Sequence, residues 1–187
     1  MNLSIFIPTK NRLYYVSKLI RYYSSVEFNG ELIILDSSDN EIKDKIFELI
    51  SIYKNLKIKY FHSLGLPCAM MKKYINEVSS DYVVFSGDDD YFVKSGLDDC
   101  LNFLNTNLNF SGCTGEGISV HSSSQRNKID YIENYDQAKI YGSSSKERLS
   151  IQFKKYRVPI FSIFRKNDFK NFLEPVPNTE NFNNLCP

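Results

Sequence analysis

The chain has 187 residues and a mass of 21.7 kDa, a length that fits one domain. Hydrophobic residues make up 42% and charged residues 24%, which excludes a disordered, collagen-like or coiled-coil protein. Lys and Arg number 23 against 22 Asp and Glu, a net charge of +1. No overall charge therefore directs the protein to nucleic acid or to an anionic membrane.

Cysteine spacing and the N-terminal sequence bear on the compartment. The cysteines Cys68, Cys100, Cys113 and Cys186 form no CxxC pair, which disfavours a structural zinc site. A chain of this length buries a core without disulfides, so we expect free thiols and a cytoplasmic location. The apolar run Leu3–Ile7 is too short for a signal peptide, and no run approaches the ~18 apolar residues of a membrane span. We expect a soluble protein that associates at most peripherally with a membrane.

Strand and helix patterns alternate along the first 108 residues. Short apolar runs predict strands, and apolar residues at helical spacing predict a helix after each of them. The predicted strands are Leu3–Pro8, Glu31–Leu35, Leu56–Phe61 and Asp81–Ser86, and the helices follow Asn11, Ser37–Asn40, Gly65 and Ser95. This order indicates an α/β fold with a mostly parallel central sheet and helices on both of its faces.

The rest of the chain does not continue this alternation. Phe110–Val120 is rich in Gly and Ser, a short helix is predicted after Ser143–Ser145, and Val158–Phe164 is predicted as a strand. We divide the chain into residues 1–108 and 109–187, two halves of one domain.

Polar residues follow the strands at the points where parallel sheets bind ligands. They are Pro8-Thr9, Asp36, His62 and Asp88-Asp89-Asp90. Three adjacent carboxylates repel one another, and a hard divalent cation is the commonest reason for a fold to keep them together. Mg²⁺ or Mn²⁺ at this point would hold a diphosphate and stabilise it as a leaving group. The alternative is a solvated acidic turn that caps the next helix.

Two nucleotide-binding signatures are missing after the first strand, where the sequence is IPTKNR. Neither G-x-G-x-x-G nor the Walker sequence is present, which disfavours a dinucleotide site and a P-loop NTPase. Asp36 fits a base or ribose contact and equally an Asx-turn. Lys10 and Arg12 fit a phosphate or base contact and equally a solvated helix start. His62 and His121 lack a partner that would indicate a nucleophile and its base.

The segments LSIFIPTKNR, LIILDSSDN and DYVVFSGDDDYF resemble the nucleotide-sugar-binding half of GT-A glycosyltransferases of the family-2-like group. The resemblance covers roughly residues 1–105 and implies the GT-A fold. It implies that the nucleotide is bound by residues of all three segments: Pro8, Thr9, Asn11, Arg12, Asp36, Asp88 and Asp89. It also implies a DxD-type metal motif, whose ligands by literal spacing are Asp88 and Asp90, with Asp89 as the rival ligand.

In inverting members of that family, a carboxylate about ninety residues beyond the DxD motif, often in a Glu-Asp pair, deprotonates the acceptor. No Glu-Asp pair follows Asp90, and Glu180 stands at the corresponding distance, so the resemblance implies Glu180 as the catalytic base. Glu174 and Asp168 are weaker candidates, and Glu116 fits a position that faces the acceptor. The helix expected after the base is cut off at Pro187, which implies either a fragment of a longer enzyme or a reduced member of the group.

The resemblance predicts a metal-dependent, hexosyltransferase-like glycosyltransferase that uses Mn²⁺ or Mg²⁺. It would transfer a sugar, with inversion, from a nucleotide-diphosphate donor to a hydroxyl of a glycan, lipid-linked or other acceptor. The donor that we expect is a UDP-sugar. Nucleic acid is not an expected partner. Residues 1–108 would bind the donor, and residues 109–187 would form the acceptor side.

Three alternatives stay open at this point. One is a non-catalytic GT-A domain that binds a sugar nucleotide or a protein partner. Another is a sugar-phosphate nucleotidyltransferase, although such enzymes carry a Gly-rich basic loop after the first strand. The third is a phosphatase or phosphotransferase with an Asp nucleophile, whose acidic motif is expected after the first strand instead of the fourth.

Overall fold

The structure of the protein is a computed structural model, and its contacts separate two units. It describes residues 1–123, 128–137, 139–154, 156 and 158–177. One unit comprises Met1–Cys113 and the segment that begins at Phe161, and the other comprises Thr114–Ile160. The assignment of donor binding to residues 1–108 and of the acceptor side to residues 109–187 concerns function and stays a prediction.

Strands and helices alternate through the first unit as predicted. The strands of the chain are β1 (Leu3–Thr9), β2 (Glu31–Asp36), β3 (Lys57–His62), β4 (Tyr82–Phe85), β5 (Gly112–Cys113), β6 (Gly117–Ser123), β7 (Lys128–Tyr135) and β8 (Ile163–Arg165). The helices are α1 (Leu13–Ser25), α2 (Asn40–Ile52), α3 (Pro67–Tyr74), α4 (Lys94–Thr106), α5 (Ser145–Lys154) and α6 (Lys166–Leu173). Pro67 occupies the first turn of α3, where its missing N–H leaves no helical hydrogen bond unmade.

The strands of the first unit form one sheet in the order β3-β2-β1-β4-β8-β5. The first four strands of this order are parallel, and β8 runs antiparallel to both β4 and β5. The prediction of a mostly parallel central sheet is therefore confirmed. Because β1 to β4 end at one edge, the loops that follow β1, β2 and β4 meet there: the Ser37 N–H donates to the Thr9 carbonyl at 2.9 Å, and the Ser86 N–H donates to the Phe6 carbonyl at 2.8 Å.

Successive side chains of β1 enter different cores, as the two-residue period of a strand requires. Ile5 and Ile7 pack on one face of the sheet, with apolar residues of α1, α2 and α4. Phe6 packs on the other face, where its ring lies 6.2 Å from that of Phe169 on α6, and α3 covers the same core. Helices therefore cover both faces of the sheet, as predicted.

The predicted strand Val158–Phe164 is wrong for most of its length. Pro159–Phe161 forms one turn of 3-10 helix, and β8 begins only at Ile163. Pro159 has no N–H to donate to a neighbouring strand, so the apolar pattern alone overestimated the strand.

The second unit has little burial of its own. β6 and β7 form a two-stranded antiparallel sheet, and a capping box begins α5: the Glu147 N–H donates to Ser144 Oγ at 3.2 Å, and the Ser144 N–H donates to Glu147 Oε2 at 3.3 Å. None of the residues that the structure describes between 114 and 160 is buried. Local hydrogen bonds, and not a core, hold these elements in shape.

Two sequence predictions concern helices and thiols across the whole chain. Within the described residues, no helix is both long enough and apolar enough to pass through a bilayer. Cys68, Cys100 and Cys113 carry free thiols. Cys186 lies outside the part of the chain that the structure describes.

Candidate active site

The three carboxylates of Asp88, Asp89 and Asp90 lie in a tight turn just beyond β4. The Asp90 N–H donates to the Gly87 carbonyl at 3.3 Å, which places Asp88 and Asp89 at the two central positions of the turn. A Cβ atom at Gly87 would stand 2.5 Å from Asp90 Oδ2. Glycine therefore leaves room for the Asp90 carboxylate to fold back over the turn.

Asp88 is the buried member of the acidic turn, with 4% of its surface exposed. Thr9 Oγ1, at the end of β1, donates a hydrogen bond of 2.7 Å to Asp88 Oδ2. Burial raises the pKa of Asp88, although the Thr9 hydrogen bond and the Arg12 charge act in the opposite direction. Partial burial and then the charge of Asp89 raise the pKa of Asp90 as well. Burial therefore disfavours the charged forms of Asp88 and Asp90.

Arg12 is the counter-ion of this turn. Its Nη2 atom donates to Asp89 Oδ2 at 2.6 Å, and its Nε atom lies 3.1 Å from Asp88 Oδ1. Nε is buried and out of line for a hydrogen bond to any acceptor, so the contact with Asp88 is one of charge. Burial lowers the pKa of Arg12, but its hydrogen bond to Asp89 and the charges of both carboxylates outweigh this effect and raise that pKa. The Tyr15 ring, 4.1 Å from the guanidinium carbon, supports its flat face.

Asn11 joins the loop after β1 to the loop after β2. Its backbone N–H donates to Ser38 Oγ at 2.7 Å, its Nδ2 donates to Asp39 Oδ2 at 3.0 Å, and its Oδ1 accepts the Asp39 N–H at 2.9 Å. Asn11 has a φ of 55°, a left-handed conformation that Asn tolerates better than most residues. Asn11 does not cap α1, because its side chain bonds the neighbouring loop and Arg12 takes the cap position without a side-chain bond.

Asp36 is completely buried at the end of β2. Its Oδ1 accepts the Ser38 N–H at 2.8 Å, which is the Asx-turn that the sequence left open, and its Oδ2 accepts the Tyr60 hydroxyl at 2.6 Å. Burial and the hydrogen bond to Asp36 raise the pKa of Tyr60. A contact between Asp36 and a nucleobase stays a prediction.

Other polar residues surround the same edge of the sheet. Pro8 pairs with Leu35 in the ladder and is half-buried. His62 Nε2 lies 2.8 Å from the Ser38 carbonyl and so supports the loop after β2. Lys73 Nζ donates to Ser63 Oγ at 3.1 Å, beyond the end of β3. Lys10, which follows β1, is exposed.

Two residues in contact with the candidate site, Tyr15 and Tyr60, are not marked by any motif in the sequence. Tyr15 stands three residues after Arg12, and this spacing at the start of a helix indicates that the two side chains are neighbours. Nothing in the local sequence of β3 marks Tyr60. Its partner Asp36 lies 24 residues away, and the pairing follows from the register of β2 and β3.

The donor set of the turn fits a hard divalent cation, because carboxylate oxygens are the ligands that Mg²⁺ and Mn²⁺ prefer. Among the residues that the structure describes, no three or more His, Cys, Asp or Glu side chains gather in a way that would hold a metal by themselves. Mg²⁺ in proteins is usually held by one or two carboxylates and by substrate phosphates. Asp88, Asp89 and Asp90 are the residues that would hold it.

The proposed catalytic base, Glu180, lies outside the described residues, and Glu116 is exposed in the second unit.

Asp168, a weaker candidate for the base, lies at the edge of the sheet opposite the acidic turn. It lines a cavity of about 510 Å³ where β1 and β4 begin, together with Asn2, Asp81, Tyr82, Asn105 and Arg165. Arg165 donates from Nη1 to the Tyr82 hydroxyl at 3.1 Å and from Nη2 to the Leu104 carbonyl at 2.6 Å. It therefore caps a backbone carbonyl in the last turn of α4.

Comparison with known proteins agrees with this arrangement. The family described as "Glycosyl transferase family 2" matches residues 4–173. An uncharacterized glycosyltransferase of Haemophilus influenzae is 28% identical over 141 residues, which are 70% of this chain and 55% of that protein. An uncharacterized glycosyltransferase of Rickettsia felis is 33% identical over 135 residues, which are 70% of this chain and 21% of that protein.

Solved structures share the fold at low identity. S. aureus TarS in complex with UDP-GlcNAc has a TM-score of 0.57 at 17% identity, over 92% of this chain and 47% of that one. The mannosyltransferase PcManGT from Pyrobaculum calidifontis, in complex with GDP-Man and Mn²⁺, has a TM-score of 0.58 at 12% identity, over 95% of this chain and 48% of that one. These likenesses show the GT-A fold.

The comparisons also bound what can be transferred from relatives. The chain spans about half the length of the H. influenzae protein and about a fifth of the Rickettsia protein, so the activity of the whole protein is a matter for proposal. The family match itself runs from β1 to the end of α6 and includes the acidic turn and its counter-ion. The chain belongs to glycosyl transferase family 2.

Proposed function

We propose that this protein is a glycosyltransferase that moves a sugar from a nucleotide-diphosphate donor to an acceptor hydroxyl, with a divalent metal and with inversion. The observation that carries the proposal is the convergence of Thr9 and Arg12 on the buried Asp88 and the exposed Asp89, at the carboxyl edge of a parallel sheet. Ligands of open α/β folds bind at this edge.

The acidic turn alone would repel a diphosphate, so it needs a cation to attract one. When bound, Mn²⁺ or Mg²⁺ neutralises the diphosphate and stabilises it as a leaving group. The positively charged guanidinium of Arg12 contacts Asp88 and Asp89, and we propose that it occupies the place that the cation would take. This favours Asp88 and Asp89 as the ligands over the spacing-based pair Asp88 and Asp90. Asp90, in the same turn, would then accept a hydrogen bond from a water molecule or from a ribose hydroxyl.

The remaining chemistry belongs to side chains of this chain. Thr9 orients the Asp88 carboxylate through its 2.7 Å hydrogen bond, and Asn11 holds the loops after β1 and β2 in fixed positions. The acceptor oxygen forms its bond to the anomeric carbon while the bond from that carbon to the diphosphate oxygen breaks. A carboxylate base, assigned to Glu180 by family resemblance, accepts the proton of the acceptor hydroxyl.

The donor that we propose first is a UDP-sugar, and a GDP-sugar is the competing donor. S. aureus TarS was solved with UDP-GlcNAc and PcManGT with GDP-Man, so the fold accommodates either nucleotide. The acceptor is a hydroxyl of a glycan, a lipid-linked sugar or another molecule. Formation of a nucleotide sugar and pyrophosphate from a nucleoside triphosphate and a sugar phosphate would instead support a nucleotidyltransferase.

Thermal unfolding in the presence of nucleotides tests the proposal. A ligand that binds only the folded state at about one hundred times its Kd adds ~2.7 kcal/mol to the free energy of unfolding. For a chain of this size, we expect a rise in Tm of about 5–10 °C with UDP and Mn²⁺ together. Neither alone should have this effect. ATP with Mn²⁺ is the control, and an equal rise with ATP, or no rise with any nucleoside diphosphate, would contradict the proposal.

Turnover separates an enzyme from a binding domain. Incubation with UDP-sugars and Mn²⁺ should release UDP, by transfer or by slow hydrolysis, in proportion to the protein added. Binding of UDP without any release of UDP from its sugars would support a non-catalytic domain.

Arg12→Gln tests whether the guanidinium occupies the place of the cation. The substitution removes the charge that competes at Asp88 and Asp89, so Mn²⁺ alone should bind about five- to tenfold more tightly. Isothermal titration calorimetry without nucleotide measures this affinity. Arg21→Gln, at an exposed position of α1, should leave the affinity unchanged. An unchanged or weaker affinity in Arg12→Gln would show that the cation binds elsewhere.

A further inference from the structure

The net charge of +1 conceals a strong separation of charge along the chain. Residues 139–157, called the basic segment below, contain six Lys or Arg and one Glu, a net charge of +5. The other 168 residues therefore carry 17 Lys or Arg and 21 Asp or Glu, a net charge of −4. The single acid, Glu147, accepts hydrogen bonds from the Ser143 N–H and hydroxyl at the start of α5, so local structure already engages its charge.

The basic segment also exposes large apolar side chains. Leu149 is 55% exposed and Phe153 is 71% exposed, four residues apart on α5. At 3.6 residues per turn they lie on one side of the helix with Lys146, and Lys154 borders that side. Ile151 points to the other side and is half-buried. The side of α5 turned to solvent thus combines two apolar anchors with two ammonium groups.

Aromatic residues flank the helix at both of its ends. Tyr141 precedes α5 and is 64% exposed, and Tyr156 follows it and is 59% exposed. An apolar body with a polar tip suits the boundary between lipid headgroups and acyl chains. None of the described residues of the segment is buried. The exposed side chains of the segment therefore do not surround a small core of their own.

We propose that the basic segment binds the surface of an anionic phospholipid membrane. Clusters of four to eight Lys or Arg are attracted to anionic lipid headgroups, and each contributes separately to the affinity. Leu149 and Phe153 enter the outer part of the acyl region, where their apolar surface leaves water. A nucleic acid would be attracted by the same charges, but it would offer Leu149 no apolar phase. The proposal does not depend on the proposed transferase activity.

Co-sedimentation of the 187-residue chain with vesicles tests this proposal. We expect the protein to pellet with vesicles of mixed phosphatidylglycerol and phosphatidylcholine at low salt, and to remain in solution with phosphatidylcholine alone. The binding should weaken as salt increases, because headgroup attraction is screened. Lys146→Glu/Lys154→Glu and Leu149→Ser/Phe153→Ser should each lower the partition coefficient by about tenfold or more.

Matched variants elsewhere separate this segment from general effects. Lys54→Glu/Lys57→Glu makes the same change of charge at exposed positions outside the segment. Phe47→Ser/Ile52→Ser removes two apolar side chains of α2 that are 64% and 72% exposed, on a helix with three acids and two lysines. Both controls should bind vesicles much as the unaltered protein does. Because all these side chains are exposed, circular dichroism and Tm should be the same for every variant.

Several results would overturn the proposal. They are equal binding to neutral vesicles, no binding to anionic vesicles at low salt, and unaltered binding by either variant of the basic segment. Binding to a single-stranded oligonucleotide that requires Lys146 and Lys154, without binding to vesicles, would also overturn it and indicate a nucleic-acid surface. No donor or acceptor is present in these assays, so their outcome is independent of the nucleotide experiments.

Discussion

Asp88→Asn should reduce sugar transfer by about a thousandfold and remove the rise in Tm caused by UDP with Mn²⁺. The amide can still accept the hydrogen bond from Thr9, and its volume is almost the same, so the turn should keep its shape. What disappears is the negative charge at the most buried position of the turn. Nucleotide-dependent thermal unfolding and initial rates of UDP release measure the two effects.

Asp98→Asn/Asp99→Asn is the matched control for this prediction. These two acids are adjacent and exposed on α4, outside the acidic turn, and removing both of their charges should leave transfer and nucleotide binding unchanged. If Asp88→Asn retains the full response to UDP and Mn²⁺, the acidic turn does not hold the metal diphosphate. Loss of the response in the control as well would show a general effect of net charge.

Glu31→Gln should lower the free energy of unfolding at neutral pH by about 2 kcal/mol, a fall in Tm of about 4–8 °C. Glu31 is 7% exposed at the start of β2 and lies 2.8 Å from Lys59 Nζ. It also accepts hydrogen bonds from the Ser4 hydroxyl at 2.7 Å and the Ser79 hydroxyl at 3.0 Å. Breaking a fully buried pair costs about 3–5 kcal/mol, and we expect less here because Lys59 is 39% exposed and can regain water.

The same substitution makes stability depend differently on pH. Burial opposes the ionisation of Glu31, but Lys59 and the hydrogen bonds from Ser4 and Ser79 outweigh it and hold its pKa below the ordinary value of 4.5. A lowered pKa in the folded state contributes stability that is complete above the unfolded-state value and is lost as pH falls through the folded-state value. The difference in Tm between the unaltered protein and Glu31→Gln should therefore be largest at neutral pH and shrink under acid.

Glu41→Gln provides the control for an exposed pair. Glu41 lies 2.6 Å from Lys45 on α2, but its side chain is 79% exposed, so this substitution should leave the free energy of unfolding almost unchanged. A difference between Glu31→Gln and the unaltered protein that persists at low pH would assign the loss to packing instead of charge.

The sequence by itself was enough to predict the α/β alternation, the mostly parallel sheet, and the position of three acids at the end of its fourth strand. Each of these depends on residues close together in the chain: apolar periodicity defines a helix or strand, and a motif directly after a strand lies at its carboxyl end. The same local reasoning failed at Val158–Phe164, where one proline interrupts an apolar run. It also led to the family resemblance that the comparison with known proteins then showed.

Only the tertiary structure decided how the acids are neutralised and which of them are accessible. Thr9 and Asp88 are 79 residues apart, Arg12 and Asp89 are 77 apart, and Asp36 and Tyr60 are 24 apart. Such contacts depend on the order and register of the strands, and local periodicity does not reveal either of them. Register matters because a shift by one residue turns every side chain of a strand to the opposite face. The basic segment shows the same division: its charge can be counted in the sequence, but the solvent exposure of Leu149 and Phe153 depends on which neighbours the fold brings to them.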